Sequence, residues 1–336
     1  MAEFIKFPSI DNHYEQGSTS RWLKRFPDLA LAKFIMTEKL DGANFQVIIT
    51  ADNITCCTRK RTLTIADAFF DYQRTILVNR KDELDKLQKY VQETEGVENV
   101  YVYGEIFGQG VQKRIHYMDG KDFLPFEVRV NEKLISIKDA HTLFESVGIN
   151  YHEFWVPIVG FTDNLNEALL WNVTEVPTAI EGSVDNDLNR NIEGVVIAPF
   201  DEVYAFDNFQ DDGDGNKIFM GESVFRLKKK CKEFNDKMKT KTKEVVIFEG
   251  SDEFNRLNIL WSGYFNENRL ADLFSKEGPI ETRKEIGKYI KLMGEDVRAD
   301  FLKDHQDDFI LLTDMEKKRI MSSVGERTLP LLQAAL

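Results

Sequence analysis

The chain has 336 residues, is 42% hydrophobic and 30% charged, and carries a formal net charge of -13. That is apolar content enough for one large or two ordinary domains with real cores. The acidic balance argues against a passive, basic nucleic-acid coat protein but leaves room for a local basic groove. The three cysteines, Cys56, Cys57 and Cys231, are odd in number and two are adjacent, which suggests a reducing compartment and no disulfide framework. His13, His116, His141, His152 and His305 are scattered without paired spacing, which argues against zinc. Residues 1–9 lack a signal-peptide core, and no apolar run nears the roughly 20 residues of a membrane span. A soluble, cytoplasmic protein is expected.

In chain order, residues 1–30 are mixed and aromatic-rich, with a polar-aromatic cluster at Asp11-Asn12-His13-Tyr14. Residues 34–50 and 53–59 read as two strands joined at Asp52-Asn53. Residues 66–93 read as helix, with Leu84, Leu87, Tyr90 and Val91 at helical spacing. Strands follow at 97–107 and 123–130, the latter turning at Asn131-Glu132 into 134–137, and then a helix at 138–147. Residues 151–190 alternate short apolar runs with polar loops. Residues 192–198 form a buried-strand pattern, 207–216 an Asp/Gly-rich loop, and 223–228 a last strand. From about Ser251 three amphipathic stretches remain: 252–276, 280–303 and 314–335. Gly278-Pro279 separates the first two, and Thr313-Asp314 starts the last. The expected organisation is α+β: a domain of mixed, largely antiparallel sheets with flanking helices over 1–245, then a small all-helical domain over 250–336.

Five stretches carry chemistry. Lys39-Leu40-Asp41-Gly42-Ala43-Asn44, after Glu38, places a lysine beside an Asp-Gly turn at the mouth of a strand. Lysine is a poor nucleophile at its free pKa of about 10.4 and needs charged neighbours or a metal to present its amine. On those residues alone, a solvated hairpin corner is the simpler reading. Arg59-Lys60-Arg61-Thr62 offers phosphate-binding forks, or only a solvated hairpin end. In Tyr103-Gly104-Glu105-Ile106-Phe107-Gly108 a lone acid on an apolar strand can accept from a ribose hydroxyl, or merely face solvent from an edge strand. In Ile192-Glu193-Gly194-Val195-Val196-Ile197 a carboxylate leads a buried strand, which is costly without a cation or metal. In Phe225-Arg226-Leu227-Lys228-Lys229-Lys230, Arg226, Lys228 and Lys230 share a strand face suited to a triphosphate. Residues 226–243 hold nine basic and two acidic residues, net +7 in an acidic chain, although such a run is often just a solvated face.

In this order the stretches resemble the covalent nucleotidyltransferases, and most closely the RNA ligase 2 family. That group includes phage double-strand RNA ligases and kinetoplastid RNA-editing ligases. The resemblance covers essentially the whole chain, and Asn44 favours RNA ligase 2 over DNA ligases and capping enzymes. It implies an adenylyltransferase domain in which Lys39 is the nucleophile for ATP, with Lys228 and Lys230 as paired phosphate lysines that also favour its neutral amine. It implies Glu105 on the ribose and Phe126 stacked on adenine. Glu38, Asn44 and Arg61 complete the nucleotide site, and Glu193 serves Mg²⁺ or Mn²⁺. For RNA, it implies contacts from Arg61, Arg269, Asp300 and Asp304, a nicked RNA duplex as partner, a monomer, and a cytoplasmic setting (the host's, for a phage-borne gene).

The sequence departs from the pattern at Ala198, where the family often has a lysine. No OB-fold pattern follows residue 245, which supports the RNA ligase 2 assignment over DNA ligases. A DNA ligase or capping-type enzyme, and a non-catalytic nucleic-acid-binding relative, remain the alternatives. Asp207–Asn216 lacks the closing glutamate of an EF-hand loop.

Overall fold

The computed structural model describes residues 2–14, 16–180, 191–211, 217–231, 234, 251–280 and 282–335. One sheet has the order β1 (Asp11–Asn12), β12 (Leu227–Lys230), β9 (Gly194–Pro199), β2 (Phe34–Glu38), β8 (Ile158–Thr162). Its pairings are antiparallel except β1 with β12. A second, antiparallel sheet has the order β4 (Ile54–Thr58), β3 (Ala43–Thr50), β5 (Asn99–Gly108), β6 (Lys121–Val130), β7 (Lys133–Leu134). The expected α+β class is therefore observed.

The apolar run 34–50, expected as one strand, is two. β2 and β3 lie in different sheets, and the chain crosses between them at 39–42. Gly42 permits the crossing. A Cβ there would lie 2.3 Å from the Ile106 carbonyl oxygen and 2.7 Å from Glu105 Cγ. Only a residue without a side chain lets the turn rest against β5.

The second sheet is buried on both faces, so β3 and β5 read as nearly continuous apolar runs rather than alternating ones. On one face Phe45 packs with Phe69, Tyr72 and Phe123. On the other, Phe7 from the N-terminal segment packs with Ile48, Cys57, Tyr101 and Tyr103. The Tyr101 and Tyr103 hydroxyls donate to the Glu3 and Ile5 carbonyls, each at 3.0 Å. The two sheets are tied by Arg226, which donates to both carboxylate oxygens of Glu127 at 2.8 and 2.9 Å. Both side chains are almost fully buried. Burial pushes the Glu127 carboxyl up, against the pull of Arg226.

Several local expectations change. Of the expected helix 66–93, only α2 (Lys81–Glu93) is α-helical, following α1 (Gln16–Arg25) in the chain. Before α2 lie a 3₁₀ turn, Phe69–Asp71, and a π turn, Gln73–Val78. Phe70 and Asp71 have φ of 46° and 57°, which interrupts helical propagation. The turn at Asn131-Glu132 is as expected, with φ of 48° and 65° at its two residues. α3 (Ile137–Ser146) is capped by Ser136, whose Oγ accepts the Asp139 N–H at 3.0 Å. α4 (Leu165–Leu170) follows β8. The expected loop 207–216 is strand over 207–211, because β10 (Ala205–Asp211) pairs with β11 (Lys217–Val224); positions 212–216 lie outside the described residues. The expected strand 223–228 is split, ending β11 at Val224 and starting β12 at Leu227.

The helical unit contains α5 (Asp252–Gly263), α6 (Glu267–Glu277), α7 (Ile286–Ile310), α8 (Asp314–Ser322) and α9 (Val324–Ala335). The expected helix 252–276 breaks at Asn266, whose side chain accepts the Arg269 N–H at 3.0 Å and caps α6. Gly278 ends α6 with φ 91°. Thr313 and Glu316 form a capping box that starts α8 as expected. Trp261, Tyr289, Met293, Val297 and Phe301 form the unit's core. By its internal packing the chain divides into residues 1–233 and 234–336. Residues 235–250 and most of the basic run after Cys231 lie outside the described residues.

Candidate active site

Lys39 leaves β2 with its backbone N–H donating to the Gly194 carbonyl at 2.9 Å. Its Nζ donates to Glu193 Oε2 at 2.5 Å. The other carboxylate oxygen, Glu193 Oε1, lies 3.1 Å from Lys230 Nζ. Glu193 is 0% exposed, so a buried carboxylate bridges two lysines. The strand register makes this arrangement. β9 begins right after Glu193, and β12 runs antiparallel to it, placing Lys230 opposite Gly194 and Lys228 opposite Val196. Gly194 must be glycine, since a Cβ there would lie 2.1 Å from the Lys229 carbonyl oxygen. Alternation sends Lys228 and Lys230 to one face and Lys229 to the other. There Lys229 Nζ donates to the Leu169 carbonyl at 2.6 Å, and burial lowers its pKa. Asn12, from the N-terminal polar-aromatic cluster, pairs with Lys228 in the parallel β1–β12 ladder.

Asp41, two residues after the lysine, is gripped by Arg114. Nε donates to Oδ2 at 2.9 Å, and Nη2 donates to Oδ1. The Asp41 N–H donates to the Tyr117 hydroxyl at 2.8 Å. Burial, then the Glu193 charge, pushes the Asp41 carboxyl up to about 6, while Arg114 pulls it down. Glu105 on β5 sits opposite Asn44 on β3. It is half-buried, and burial pushes its carboxyl up to about 8. Lys39 opposes that shift, and Glu193 and Asp41 add to it. Lys39, Asp41, Glu105 and Glu193 thus form one electrostatic cluster.

The remaining expected residues fall as follows. Phe126 is the extra residue of a β-bulge, since Tyr103 pairs with Glu127 but Gly104 with Pro125. A bulge re-aims a side chain off the regular pleat, and the Phe126 ring lies 5.2 Å from that of Phe7. Glu38 is buried, its Oε2 accepting the Ala179 N–H at 3.2 Å. Arg61 donates to Asp67 Oδ1 at 2.6 Å on an exposed loop, and Arg61 first, then Thr64, holds that carboxyl well below the usual range. In the same basic cluster, it is Arg59 that pulls on the Glu105 carboxyl. Ala198 is buried opposite Ile35, so that position offers no cation.

Arg269, Asp300 and Asp304, expected to contact RNA, have partners within the helical unit. Arg269 is 4% exposed, and its guanidinium donates to Asp300 Oδ2 at 2.8 Å and to Asp296. The Tyr264 hydroxyl donates to Asp304 Oδ2 at 2.6 Å. Arg269 is tied to Asp296 and Asp300 because a buried guanidinium needs carboxylates to balance its charge. Sequence reasoning missed the grip of Arg114 and Tyr117 on Asp41. These side chains come 73 and 76 positions later in an irregular loop, and no periodicity marks them.

Glu193 supplies hard oxygen atoms. Among the described residues no group of three or more His, Cys, Asp or Glu could enclose a metal ion. A divalent ion held by the Glu193 carboxylate would have water and substrate oxygens to complete its shell, a donor set that suits magnesium.

Residues 32–219 match the family description RNA ligase, and residues 248–328 match T4 RNA ligase 2 C-terminal. The chain belongs to the RNA ligase family. It is also similar to solved structures of a Naegleria gruberi RNA ligase. A mutant without ligand is 19% identical over 68% of this chain and 56% of that one, with a TM-score of 0.44. A mutant with AMP and Mn is 19% identical over 70% and 58%, with a TM-score of 0.45. A mutant with ATP and Mn is 18% identical over 70% and 58%, with a TM-score of 0.46. The chain spans a little over half the length of those ligases.

Proposed function

We propose that this chain is an ATP-dependent RNA ligase that joins 3′-hydroxyl and 5′-phosphate RNA ends, preferentially at nicks in duplex RNA. The observation that carries this reading is the buried Glu193 carboxylate bridging Lys39 and Lys230. It holds a lysine nucleophile at a fixed place beside a second cation.

In the first step the Lys39 amine, having lost its proton, attacks the α-phosphorus of ATP. A P–N bond forms, the P–O bond to pyrophosphate breaks, and lysyl-AMP results. In the second, an oxygen of the RNA 5′-phosphate attacks the AMP phosphorus and the P–N bond breaks. In the third, the 3′-hydroxyl attacks the 5′-phosphate and AMP leaves. Each step is a displacement at phosphorus, so positioning and charge neutralisation carry most of the rate. Lys228 and Lys230, on one face of β12, neutralise the nucleotide's phosphates. Glu105 meets the ribose, and Phe126 stacks on adenine. Glu193 would hold Mg²⁺ or Mn²⁺, which when bound neutralises phosphate charge. The protein acts as a monomer in the cytoplasm.

Incubation with ATP labelled at the α-phosphate is expected to give acid-labile labelled protein, and Lys39→Ala to abolish the label. Label retained in Lys39→Ala refutes the nucleophile. No label on the wild type favours a non-catalytic RNA-binding relative. Sealing assays with RNA or DNA placed separately on each side of the nick separate an RNA ligase from a DNA ligase.

A further inference from the structure

The loop between β5 and β6 closes on itself and reaches back to the nucleophile's turn. At its base Gln109 N–H donates to the Gly120 carbonyl at 2.6 Å. Gly108, with φ 107°, allows the close approach, since a Cβ there would lie 2.3 Å from the Gly120 carbonyl oxygen. Two side chains from the loop's second half then meet one residue. Arg114 takes both carboxylate oxygens of Asp41, and Tyr117 accepts its backbone N–H at 2.8 Å. Both groups are anchored. The Arg114 side chain is 17% exposed and that of Asp41 1%. The buried Tyr117 ring packs edge-on against Phe107, their centroids 5.4 Å apart.

On the other side of the turn, Lys39 N–H is fixed to Gly194 of β9. The Lys39–Gly42 crossover thus leaves one sheet under a backbone bond and enters the other under a side-chain grip. A crossover held at one end only would let the lysine Nζ swing about its backbone. Held at both ends, it fixes the direction in which the Lys39 side chain leaves the backbone, and Glu193 holds Nζ at its far end.

We propose that Arg114 and Tyr117 are positioning residues for Lys39: the closed loop 108–120 grips Asp41 so that the nucleophile's turn is held between the two sheets. The inference rests on the proposed reaction, in which Lys39 is a nucleophile in the first step only. It follows that loosening the grip slows formation of lysyl-AMP. It leaves untouched the last step, which joins RNA already carrying AMP at its 5′ end and needs no attack by lysine. A role confined to folding would slow both steps together. A lysine displaced by about 1 Å is expected to react about 10- to 100-fold more slowly.

The experiment compares wild type, Arg114→Gln and Tyr117→Phe in two single-turnover assays. One measures transfer of label from α-labelled ATP to the protein. The other measures sealing of a pre-adenylylated RNA nick without ATP. Arg114→Gln is expected to lower the first rate at least tenfold and to leave the second within about twofold. Tyr117→Phe, which loses only the acceptor oxygen, is expected to do the same to a smaller extent and gives the reading if Arg114→Gln folds poorly. Equal losses in both assays for both variants, or no loss in the first, overturn the proposal. A wild type that takes no label refutes the underlying reaction instead, so the two failures are distinct.

Discussion

Gly194→Ala tests whether the strand register builds the site. The added Cβ would lie 2.1 Å from the Lys229 carbonyl oxygen, 2.7 Å from Lys230 Cα and 2.9 Å from the Lys229 carbonyl carbon. All three are backbone atoms, so no side chain can turn aside. Restoring ordinary contact with the oxygen requires β9 and β12 to separate by about 1 Å. That displacement acts at the ends of the Lys39–Gly194 hydrogen bond and the Lys230–Glu193 pair. Overpacking of this kind costs about 1–3 kcal/mol of stability. A shift of about 1 Å in a positioned group costs on the order of 100-fold in rate. Lysyl-AMP formation, measured by label transfer at saturating ATP and at a temperature where the variant stays folded, is expected to fall by that order. A folded Gly194→Ala variant that labels at the wild-type rate would refute the claim that this close approach sets the lysine geometry.

Arg226→Met strands the Glu127 carboxylate between the sheets, where both side chains are at most 3% exposed. Breaking such a pair costs about 3–5 kcal/mol, and chemical denaturation should show the loss. Glu105→Gln should alter the pH dependence of stability. Between the ordinary carboxyl value of 4.5 and about 8, folded Glu105 keeps a proton that the unfolded chain has released. Stability from this group therefore falls as pH rises through that window. Melting temperatures taken from pH 5 to 8 should decline less in the glutamine variant, and parallel profiles would contradict the assignment. Arg269→Ala is expected to destabilise the helical unit by about 1–3 kcal/mol through lost packing and ion pairing. Pre-adenylylated nick sealing below the unfolding transition should change little if the role is structural; a large loss there, with stability intact, would show a direct role for Arg269 with RNA.

The sequence by itself determined the α+β class and the family resemblance. Glu193 could be singled out because a carboxylate leading a buried strand demands a partner, and the structure gives it Lys39 and Lys230. The helix start at Thr313-Asp314 was legible because a helix start is a local hydrogen-bonding problem. The exchange of sheets at Lys39–Gly42 was not legible. β2 and β3 are both apolar, and hydrophobic pattern does not say which sheet a strand joins. The bulge that sets Phe126 apart depends on register between β5 and β6. That Arg269 pairs with Asp296 and Asp300 depends on α6 meeting α7. The grip of Arg114 and Tyr117 on Asp41 likewise exists only once the β5–β6 loop folds back. Local bonding rules act over a few residues and leave a mark in the sequence. Long-range pairings depend on where distant strands and helices come to rest, and only the tertiary structure decides that.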